Sequence, residues 1–212
     1  MARRRLIVIG AGGFAKSVVD SYDRARYQLV GFIDERPALT EHLGYPVLAH
    51  TLDDLSDVDG YVYFIAIGHN GNRSRWFEEL EKRRLRIITV IDPSAIVSPR
   101  AELGRGCFVG KLAVVNATAV VGDDCIINTR ALVEHGCCVS DHVNISTNAV
   151  INGDVTVGEG SFIGSSSVTN GQIAIGSWST VGAGAVVIHD VGNGVTVAGV
   201  PARVLHEGAM LG

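Results

Sequence analysis

The pair Glu134-His135 stands out chemically, because it interrupts a long run of small and aliphatic residues. An imidazole takes up and releases a proton near neutral pH, so His135 is suited to deprotonate an amine or hydroxyl that attacks a thioester. The residues eighteen positions away on either side, Ala117 and Gly153, are small. We therefore expect the imidazole to project from a flat surface with room for ligands. An ordinary turn histidine is the alternative.

A glycine turn near the start is the second candidate site. An apolar strand at 6–9 leads into this turn, a helix is expected over roughly 15–26, and a second strand at 29–33 ends in two acids. This layout is typical of the start of a Rossmann-like nucleotide site. Ala15 replaces the third glycine, so a tight turn without a ligand is the alternative. The candidate residues are Gly10, Gly12, Gly13, Phe14, Asp34 and Glu35.

A third strand, expected at 61–67, ends in a polar loop before a helix expected over 74–84. Ligands bind at the carboxyl ends of parallel strands, so Gly68, His69 and Arg73 join the same predicted edge. His69 has the alternative of a simple loop residue, and Arg73 contacts either a phosphate or the domain interface. About 90 residues are too few for a complete dinucleotide domain. A nucleotide or nucleotide-sugar site is favoured over bound NAD, and an NAD-dependent oxidoreductase is disfavoured.

From residue 91 to 187 an aliphatic residue recurs at every sixth position, with Thr169 as the one exception among seventeen. The residue four positions after each is mostly Ala, Cys or Ser. The residue directly after each is often Gly or Asn, which suits a corner with positive φ. This period is that of a parallel β-helix with three strands per coil. We expect between five and six coils and no interrupting loop.

Composition and charge argue against several classes of protein: nucleic-acid-binding, membrane-inserted, secreted and metal-binding. The net charge of −4 and pI near 5.9 disfavour a nucleic-acid partner. No apolar run is long enough for membrane insertion, and the Met-Ala-Arg-Arg-Arg start lacks the apolar core of a signal peptide. Cys107, Cys125 and Cys137 fall in the small-residue column, as expected of packing residues in a reduced cytoplasmic protein. No Cys/His spacing indicates a metal site.

The chain resembles the bacterial sugar acetyltransferases that include the UDP-4-amino-sugar N-acetyltransferase of bacillosamine synthesis and the sialic acid O-acetyltransferases. The resemblance covers essentially the whole sequence. It rests on the segments Gly10-Ala-Gly-Gly-Phe-Ala-Lys, Phe32-Ile-Asp-Glu, Ala66-Ile-Gly-His-Asn, Ile127-Asn-Thr, Val133-Glu-His and Ala198-Gly-Val-Pro-Ala-Arg.

The resemblance implies a small Rossmann-like α/β domain (1–90), a left-handed parallel β-helix of hexapeptide repeats (91–192) and a C-terminal cap and CoA-binding tail (193–212). It also implies acetyl-CoA as co-substrate, no metal, and a homotrimer with sites between subunits. His135 becomes the general base, with Glu134 and Asn128 beside the reacting centre, although a simple corner residue is the alternative for Asn128. The residues expected to bind acetyl-CoA are Asn144, Gly153, Gly164, Gly182, Ala183, Gly199, Pro201 and Arg203. A cap over the open end of the β-helix is a further role for the tail, compatible with CoA binding.

Two departures from the family pattern matter. The family often has an acid directly after the catalytic histidine, where this chain has Gly136, so Glu134 or a neighbouring subunit has to orient the imidazole. The family often has a second histidine where this chain has Asn144, whose amide can still donate a hydrogen bond to an acyl carbonyl. His142 is a less favoured substitute for that histidine.

These features predict an acetyl-CoA-dependent N-acetyltransferase acting on a nucleotide-linked amino sugar of the UDP-4-amino-4,6-dideoxy type. O-acetylation of a sugar hydroxyl such as that of sialic acid stays open, because one imidazole serves both nucleophiles. A catalytically silent nucleotide-sugar scaffold or sensor is the alternative from another class. The sugar and the base, uracil or guanine, stay undetermined.

Overall fold

The computed structural model describes residues 2–207, and its first part is a six-stranded sheet with two helices. The strands are β1 (Arg4–Ile9), β2 (Tyr27–Ile33), β3 (Glu41–His42), β4 (Tyr45–Ala49), β5 (Val62–Ile65) and β6 (Arg86–Ile87). The helices are α1 (Gly13–Ser21) and α2 (Asn70–Lys82), and short 3-10 turns span Leu52–Asp54 and Val58–Gly60. The strand order is β3-β4-β2-β1-β5-β6, parallel except for the β3–β4 hairpin.

Alternate residues of β1 point to opposite faces of this sheet and pack into two cores. Leu6 and Val8 share one core with α1, while Ile7 and Ile9 share the other with α2. All four side chains are at most 1% exposed, as expected for a central parallel strand covered by helices on both faces.

Both helices differ from their expected bounds for local reasons. Helix α1 ends at Ser21 rather than near residue 26, because the Asp23 carboxylate accepts the backbone N–H groups of Ala25 and Arg26 and forms a turn. Helix α2 begins at Asn70, four residues early, because His69 Nδ1 caps it by accepting the N–H of Asn72 at 3.1 Å.

The second part is a three-sided parallel β-helix whose two-residue strands start every six residues without a break. They are β7 (Val90–Ile91), β8 (Ile96–Val97), β9 (Glu102–Leu103), β10 (Phe108–Val109), β11 (Val114–Val115), β12 (Val120–Val121), β13 (Ile126–Ile127), β14 (Leu132–Val133), β15 (Cys138–Val139), β16 (Asn144–Ile145), β17 (Val150–Ile151), β18 (Thr156–Val157), β19 (Phe162–Ile163), β20 (Val168–Thr169), β21 (Ala174–Ile175), β22 (Thr180–Val181) and β23 (Val186–Val187). Longer strands β24 (Val195–Ala198) and β25 (Arg203–Glu207) close the described chain. Seventeen short strands at three per coil give between five and six coils, which confirms the prediction.

Three sheets form the faces of the prism. Face A contains β7, β10, β13, β16, β19, β22, β24 and β25; face B contains β8, β11, β14, β17, β20 and β23; face C contains β9, β12, β15, β18 and β21. We call the corners edge AB (residues 128–131), edge BC (134–137) and edge CA (140–143), each with its equivalents eighteen residues away. The predicted division of the chain at residue 90 falls within β7.

The aliphatic column fills the prism, and the small-residue column packs beside it. Val109, Ile127 and Ile145 are fully buried, whereas Ile91 is 42% exposed because no earlier coil covers it. Cys107, Cys125 and Cys137 are buried and unpaired, as predicted, while Cys138 is exposed.

The prediction of positive φ directly after each aliphatic residue was wrong. Positive φ occurs two positions later, at residue 106 and every sixth residue to 184, and ten of these fourteen residues are not glycine. Glycine directly after the aliphatic residue serves close packing instead. A Cβ at Gly104 would lie 2.5 Å from the backbone of Gly122, one coil away.

The sheet domain rests on face A and edge CA of the prism. Phe108 and Ile126 of face A pack into the core that contains α1. On edge CA, Asn70 Nδ2 donates to the backbone oxygens of Gly160 and Ser161. Ser21 Oγ donates to Asp92 Oδ2 at 2.7 Å near the start of the prism. The two parts therefore share a buried contact.

Candidate active site

A cleft of about 410 Å³ opens at the carboxyl ends of β1, β2 and β5. Of the nine residues predicted to bind a nucleotide sugar, eight line it: Gly10, Gly12, Gly13, Phe14, Asp34, Glu35, Gly68 and His69. Arg36 and Trp76 also line it and were not predicted. Arg36 has a weak sequence signal, since it lies two residues after an acid at a strand end, whereas Trp76 has the pattern of an ordinary core residue of α2.

The glycine turn leaves the start of α1 open to a ligand. Gly10 has φ +91°, and a Cβ there would lie 2.8 Å from Ile67 Cγ1, so this position requires glycine. A Cβ at Gly12 or Gly13 would meet no neighbouring atom within 4 Å, so the space in front of the turn is open. No side chain within residues 2–207 caps α1, and the first turn of this helix has no acid. Its free N–H groups and positive dipole end suit a phosphate.

The carboxylate of Asp34 ties the glycine turn to Arg36. Asp34 Oδ2 accepts the Ala11 N–H at 2.8 Å, while Arg36 donates from Nε to Oδ1 at 2.7 Å and from Nη2 to Oδ2 at 2.9 Å. Burial tends to raise the pKa of Asp34, but these hydrogen bonds outweigh it and lower the pKa to about 2. Asp34 is thus already engaged with protein donors, and the exposed guanidinium of Arg36 is held at the cleft.

His69 both lines the cleft and caps α2, so the simple loop alternative does not describe it. Because Nδ1 accepts the Asn72 N–H, the neutral ring carries its proton on Nε2. Gly68 beside it lies at the meeting point with the prism, where its carbonyl accepts from Asn144 Nδ2 at 3.3 Å.

Arg73 does not reach the cleft, and of its two predicted roles the structure supports the domain contact. Its side chain is 1% exposed, with Nε 3.1 Å from Asp124 Oδ2 and Nη2 donating to the His142 backbone oxygen at 2.6 Å. Burial raises the pKa of Asp124, against the opposing effects of His142 and Arg73. A guanidinium enclosed in this way has no surface for a phosphate.

His135 lies exposed on edge BC, and the glycine one coil on makes room for its ring. A Cβ at Gly153 would lie 2.6 Å from His135 Cε1 and 2.8 Å from Nε2. No described side chain donates to or accepts from the imidazole, so both ring nitrogens are open to substrate. The small residue one coil away therefore leaves room for the ring, as the sequence predicts.

The structure does not place Glu134 on the imidazole. Glu134 Oε2 accepts from Asn116 Nδ2 at 2.9 Å and from the His135 backbone N–H at 3.2 Å, so it fixes the corner instead. The space of a side chain at Gly136 is taken by Asp154 of the next coil, whose Oδ1 would collide with a Cβ there. Gly136 also has φ +67°, but most equivalent corner residues adopt positive φ without being glycine, so Asp154 is the specific reason for glycine at this corner.

Asn128 lies on edge AB and not beside His135, and its Oδ1 accepts the N–H of Thr129 at 2.7 Å. The predicted acetyl-CoA residues Gly164, Gly182 and Ala183 lie on the same edge. A Cβ at Gly164 would lie 2.5 Å from the Val181 oxygen, and one at Gly182 would lie 2.8 Å from Ala198 Cβ. Coil packing alone therefore requires these two glycines. Within one chain, edge AB and the His135 corner are separate.

Asn144 is on face A, only 6% exposed, and its amide donates to Gly68 rather than facing His135. Its Oδ1 has no hydrogen-bond partner among residues 2–207. His142 does not replace it, because its Nδ1 is 2.9 Å from buried Asp124 Oδ2 and its ring packs on Phe77. Both side chains belong to the contact between the two parts of the chain.

The tail extends face A and leaves three predicted acetyl-CoA residues at the surface. Strand β24 pairs with β22, and β25 runs antiparallel to β24. Gly199 has φ +98° and its oxygen accepts the Val186 N–H at 3.0 Å. Gly199, Pro201 and Arg203 are exposed. Residues 208–212 of the predicted tail lie outside the described part of the chain.

Face A is opposite edge BC in a three-sided prism, so the cleft and His135 of one chain lie on different sides of the molecule.

Residues 2–207 contain no group of three His, Cys, Asp or Glu side chains arranged for a metal. No helix in the same range is long and apolar enough to cross a membrane.

Comparison with known proteins matches residues 5–80 to the PglD N-terminal domain family. The acetyltransferase domain of PglB from Neisseria gonorrhoeae FA1090 is 35% identical, covering 96% of this chain and 100% of that one, with a TM-score of 0.90. PerB from Caulobacter crescentus, in complex with CoA and GDP-perosamine, is 31% identical over 95% of this chain and 97% of that one, with a TM-score of 0.84. WeeI from Acinetobacter baumannii AYE is 29% identical, covering 94% of this chain and 99% of that one, with a TM-score of 0.85. The search of curated proteins found no match.

Proposed function

The chain belongs to the hexapeptide-repeat, left-handed β-helix family of bacterial sugar acetyltransferases, and we propose that it acetylates the amino group of a nucleotide-linked amino sugar. The observation that carries the proposal is the cleft, where an uncapped helix start and Arg36 offer donors to a diphosphate. PerB has been seen with CoA and GDP-perosamine, and the PglB domain with acetyl coenzyme A. We assign a UDP-4-amino-4,6-dideoxy sugar as substrate, with a GDP-linked sugar as the competing choice.

His135 is the general base in this proposal. The sugar nitrogen attacks the thioester carbonyl of acetyl-CoA while the imidazole takes a proton from that nitrogen. A C–N bond forms, the C–S bond breaks, and the proton passes to the departing CoA sulfur. A backbone N–H stabilises the oxyanion, because Asn144 is enclosed in the domain contact.

The catalytic site forms between two copies of the chain. A nucleotide sugar held in the cleft reaches the His135 of a neighbouring prism, since its own His135 lies across the prism. The same association brings edge AB of one prism beside edge BC of another, which would unite Asn128, Gly164, Gly182 and Ala183 with His135 and Gly153. CoA then lies in the groove between the prisms, with the tail and Arg203 near its phosphates. A cyclic trimer satisfies this head-to-tail arrangement.

The test uses purified protein, acetyl-CoA and a panel of UDP- and GDP-linked amino sugars, with free thiol as the readout. One amino sugar should release thiol in step with N-acetylated product. His135→Ala and His135→Asn should lower kcat by roughly 10²–10⁴-fold, the usual contribution of a general base. His189→Ala is the matched control, because His189 is exposed on the same edge three coils away.

Three outcomes would contradict the proposal. Thiol release with sialic acid but with no nucleotide-linked amino sugar would indicate the O-acetyltransferase. Nucleotide-sugar binding without thiol release, under any of these conditions, would indicate a scaffold or sensor. Full activity in both His135 variants would remove His135 as the base.

A further inference from the structure

A second groove, of about 460 Å³, lies at the amino ends of β1, β5 and β6, the opposite end of the sheet from the cleft. Five arginines from two separate segments line it: Arg3, Arg4, Arg5, Arg84 and Arg86. Asp59 is the one carboxylate among its lining residues. The chain as a whole has a net charge of −4, so this concentration of positive charge is local.

These five arginines lie together in one groove, and no acid of the described range neutralises them. Arg36, Arg73, Arg83 and Arg105 each form an ion pair within 3.1 Å. None of the five groove arginines forms an ion pair with an acid of the described range. All five are exposed. Unpaired guanidinium groups that converge on a concave surface repel one another, and an anion would relieve that repulsion.

One of the groove arginines is held in place by an aromatic ring. Arg5 Nη2 donates to the Tyr61 hydroxyl at 2.8 Å, and its guanidinium carbon lies 4.3 Å from the centre of that ring. The ring orients this guanidinium without neutralising its charge. Less side-chain entropy is then lost when Arg5 binds a ligand.

We propose that this groove binds a ligand bearing phosphate groups, at a site separate from the acetyl-transfer cleft. Guanidinium groups donate paired N–H bonds to phosphate oxygens, and several unpaired arginines favour a ligand with at least two negative charges. A free di- or polyphosphate and the headgroups of an anionic lipid surface present this same chemistry. The position at the far end of the sheet separates this ligand from the nucleotide of the reaction.

The test compares the full chain with Arg4→Ser/Arg86→Ser, which removes two groove charges. Arg100→Ser/Arg130→Ser is the matched control, because both residues are exposed, unpaired arginines of the prism within the described range. Binding of inorganic pyrophosphate to each protein is measured by calorimetry. The titration is repeated with versions that also carry Gly12→Trp, in which the indole fills the cleft. Vesicles of phosphatidylcholine with and without phosphatidylglycerol are tested by co-sedimentation. Thermal melts verify that each variant is folded.

The groove variant should bind pyrophosphate, phosphatidylglycerol vesicles or both at least about tenfold more weakly, as expected for lost charge-assisted hydrogen bonds. The control should bind like wild type, and kcat/KM for acetyl transfer should be unchanged in the groove variant. Loss of pyrophosphate binding alone identifies a soluble ligand, and loss of vesicle binding alone identifies a lipid surface. Equal binding by wild type and groove variant, no binding of either probe by wild type, or a preference for single-stranded RNA over both would overturn the proposal.

Discussion

At the scale of single residues, Gly153 makes room for His135, the general base of the proposed mechanism, because it has no side chain. Gly153→Ala would place a methyl group 2.6 Å from the imidazole and displace the ring. Because His135 is exposed and can rotate, the thermal midpoint should change little. We expect kcat to fall by roughly tenfold to a hundredfold, as for a catalytic group misplaced by about 1 Å. Gly192→Ala is the control, with 3.5 Å to its nearest neighbour, and an unchanged kcat in Gly153→Ala would contradict the role of this packing.

Gly136 and Gly184 allow a stability comparison at nearly the same backbone conformation, with φ +67° and +69°. An alanine at either position costs about 1–2 kcal/mol from the left-handed conformation alone. Only Gly136→Ala also collides with Asp154. We expect its denaturant midpoint to fall further than that of Gly184→Ala, and Gly136→Ala/Asp154→Ala to recover the difference. Equal losses in the two single variants would show that Asp154 does not occupy that space.

Asp34 should make the stability of the sheet domain depend on pH in a narrow window. The folded state lowers the pKa of Asp34 to about 2, below the ordinary 3.8, so its contribution is present above about pH 4 and is lost as pH falls through 2. Asp34→Asn should lower the free energy of unfolding by about 1–2 kcal/mol at pH 7, allowing for the exposure of Arg36. The difference from wild type should vanish near pH 2. Glu35→Gln is the control. A stability difference between Asp34→Asn and wild type that does not depend on pH would contradict the charged interaction between Asp34 and Arg36.

The convergence of eight of the nine predicted residues on one cleft was predictable, because a strand, a glycine turn and a helix are neighbours along the chain. The hydrogen bonds between Asp34 and Arg36 and the steric conflict between a side chain at position 136 and Asp154 were not predicted. The first depends on a rotamer and the second on stacking across eighteen residues, and neither is visible in a local motif. The prediction of positive φ at the glycines after each aliphatic residue failed because glycine serves close packing as well as left-handed turns.

At the scale of elements, α2 connects the sheet to edge CA through Arg73. Arg73→Met should leave the buried Asp124 carboxylate with His142 but without its guanidinium partner, and cost about 3–5 kcal/mol of stability. Arg75→Met on the same helix removes an exposed ion pair to Glu35 and should cost under about 1 kcal/mol. Thermal and denaturant unfolding measure both. A small stability loss in Arg73→Met with a raised KM for the nucleotide sugar would instead support the phosphate role.

The element pattern explains why the β-helix was predictable and the helix ends were not. A six-residue period repeated over nearly a hundred residues averages out single exceptions such as Thr169. The end of α1 depends on one Asp23 side chain and the start of α2 on one His69 ring. Single capping residues shift a boundary by several positions without changing the apolar pattern.

At the scale of the whole molecule, the cleft and His135 lie on different sides of one chain, so the proposed mechanism requires a second chain to complete the site. The sequence identifies the cleft residues and His135, but nothing in it indicates on which side of the prism each of them lies. That follows only from the phase of the coils and the face on which the sheet domain rests. Association is therefore part of the proposed mechanism, because it brings two separate surfaces together.

The most direct measurement mixes two inactive variants, His135→Ala and Gly12→Trp, by co-expression and separate tagging. Each hybrid assembly contains intact clefts on one kind of subunit and intact imidazoles on the other. If the site lies between subunits of a head-to-tail trimer, each purified hybrid has one complete site in three and should show about a third of wild-type kcat per site. If each chain carries its own complete site, the purified hybrids will be no more active than the two variants measured alone.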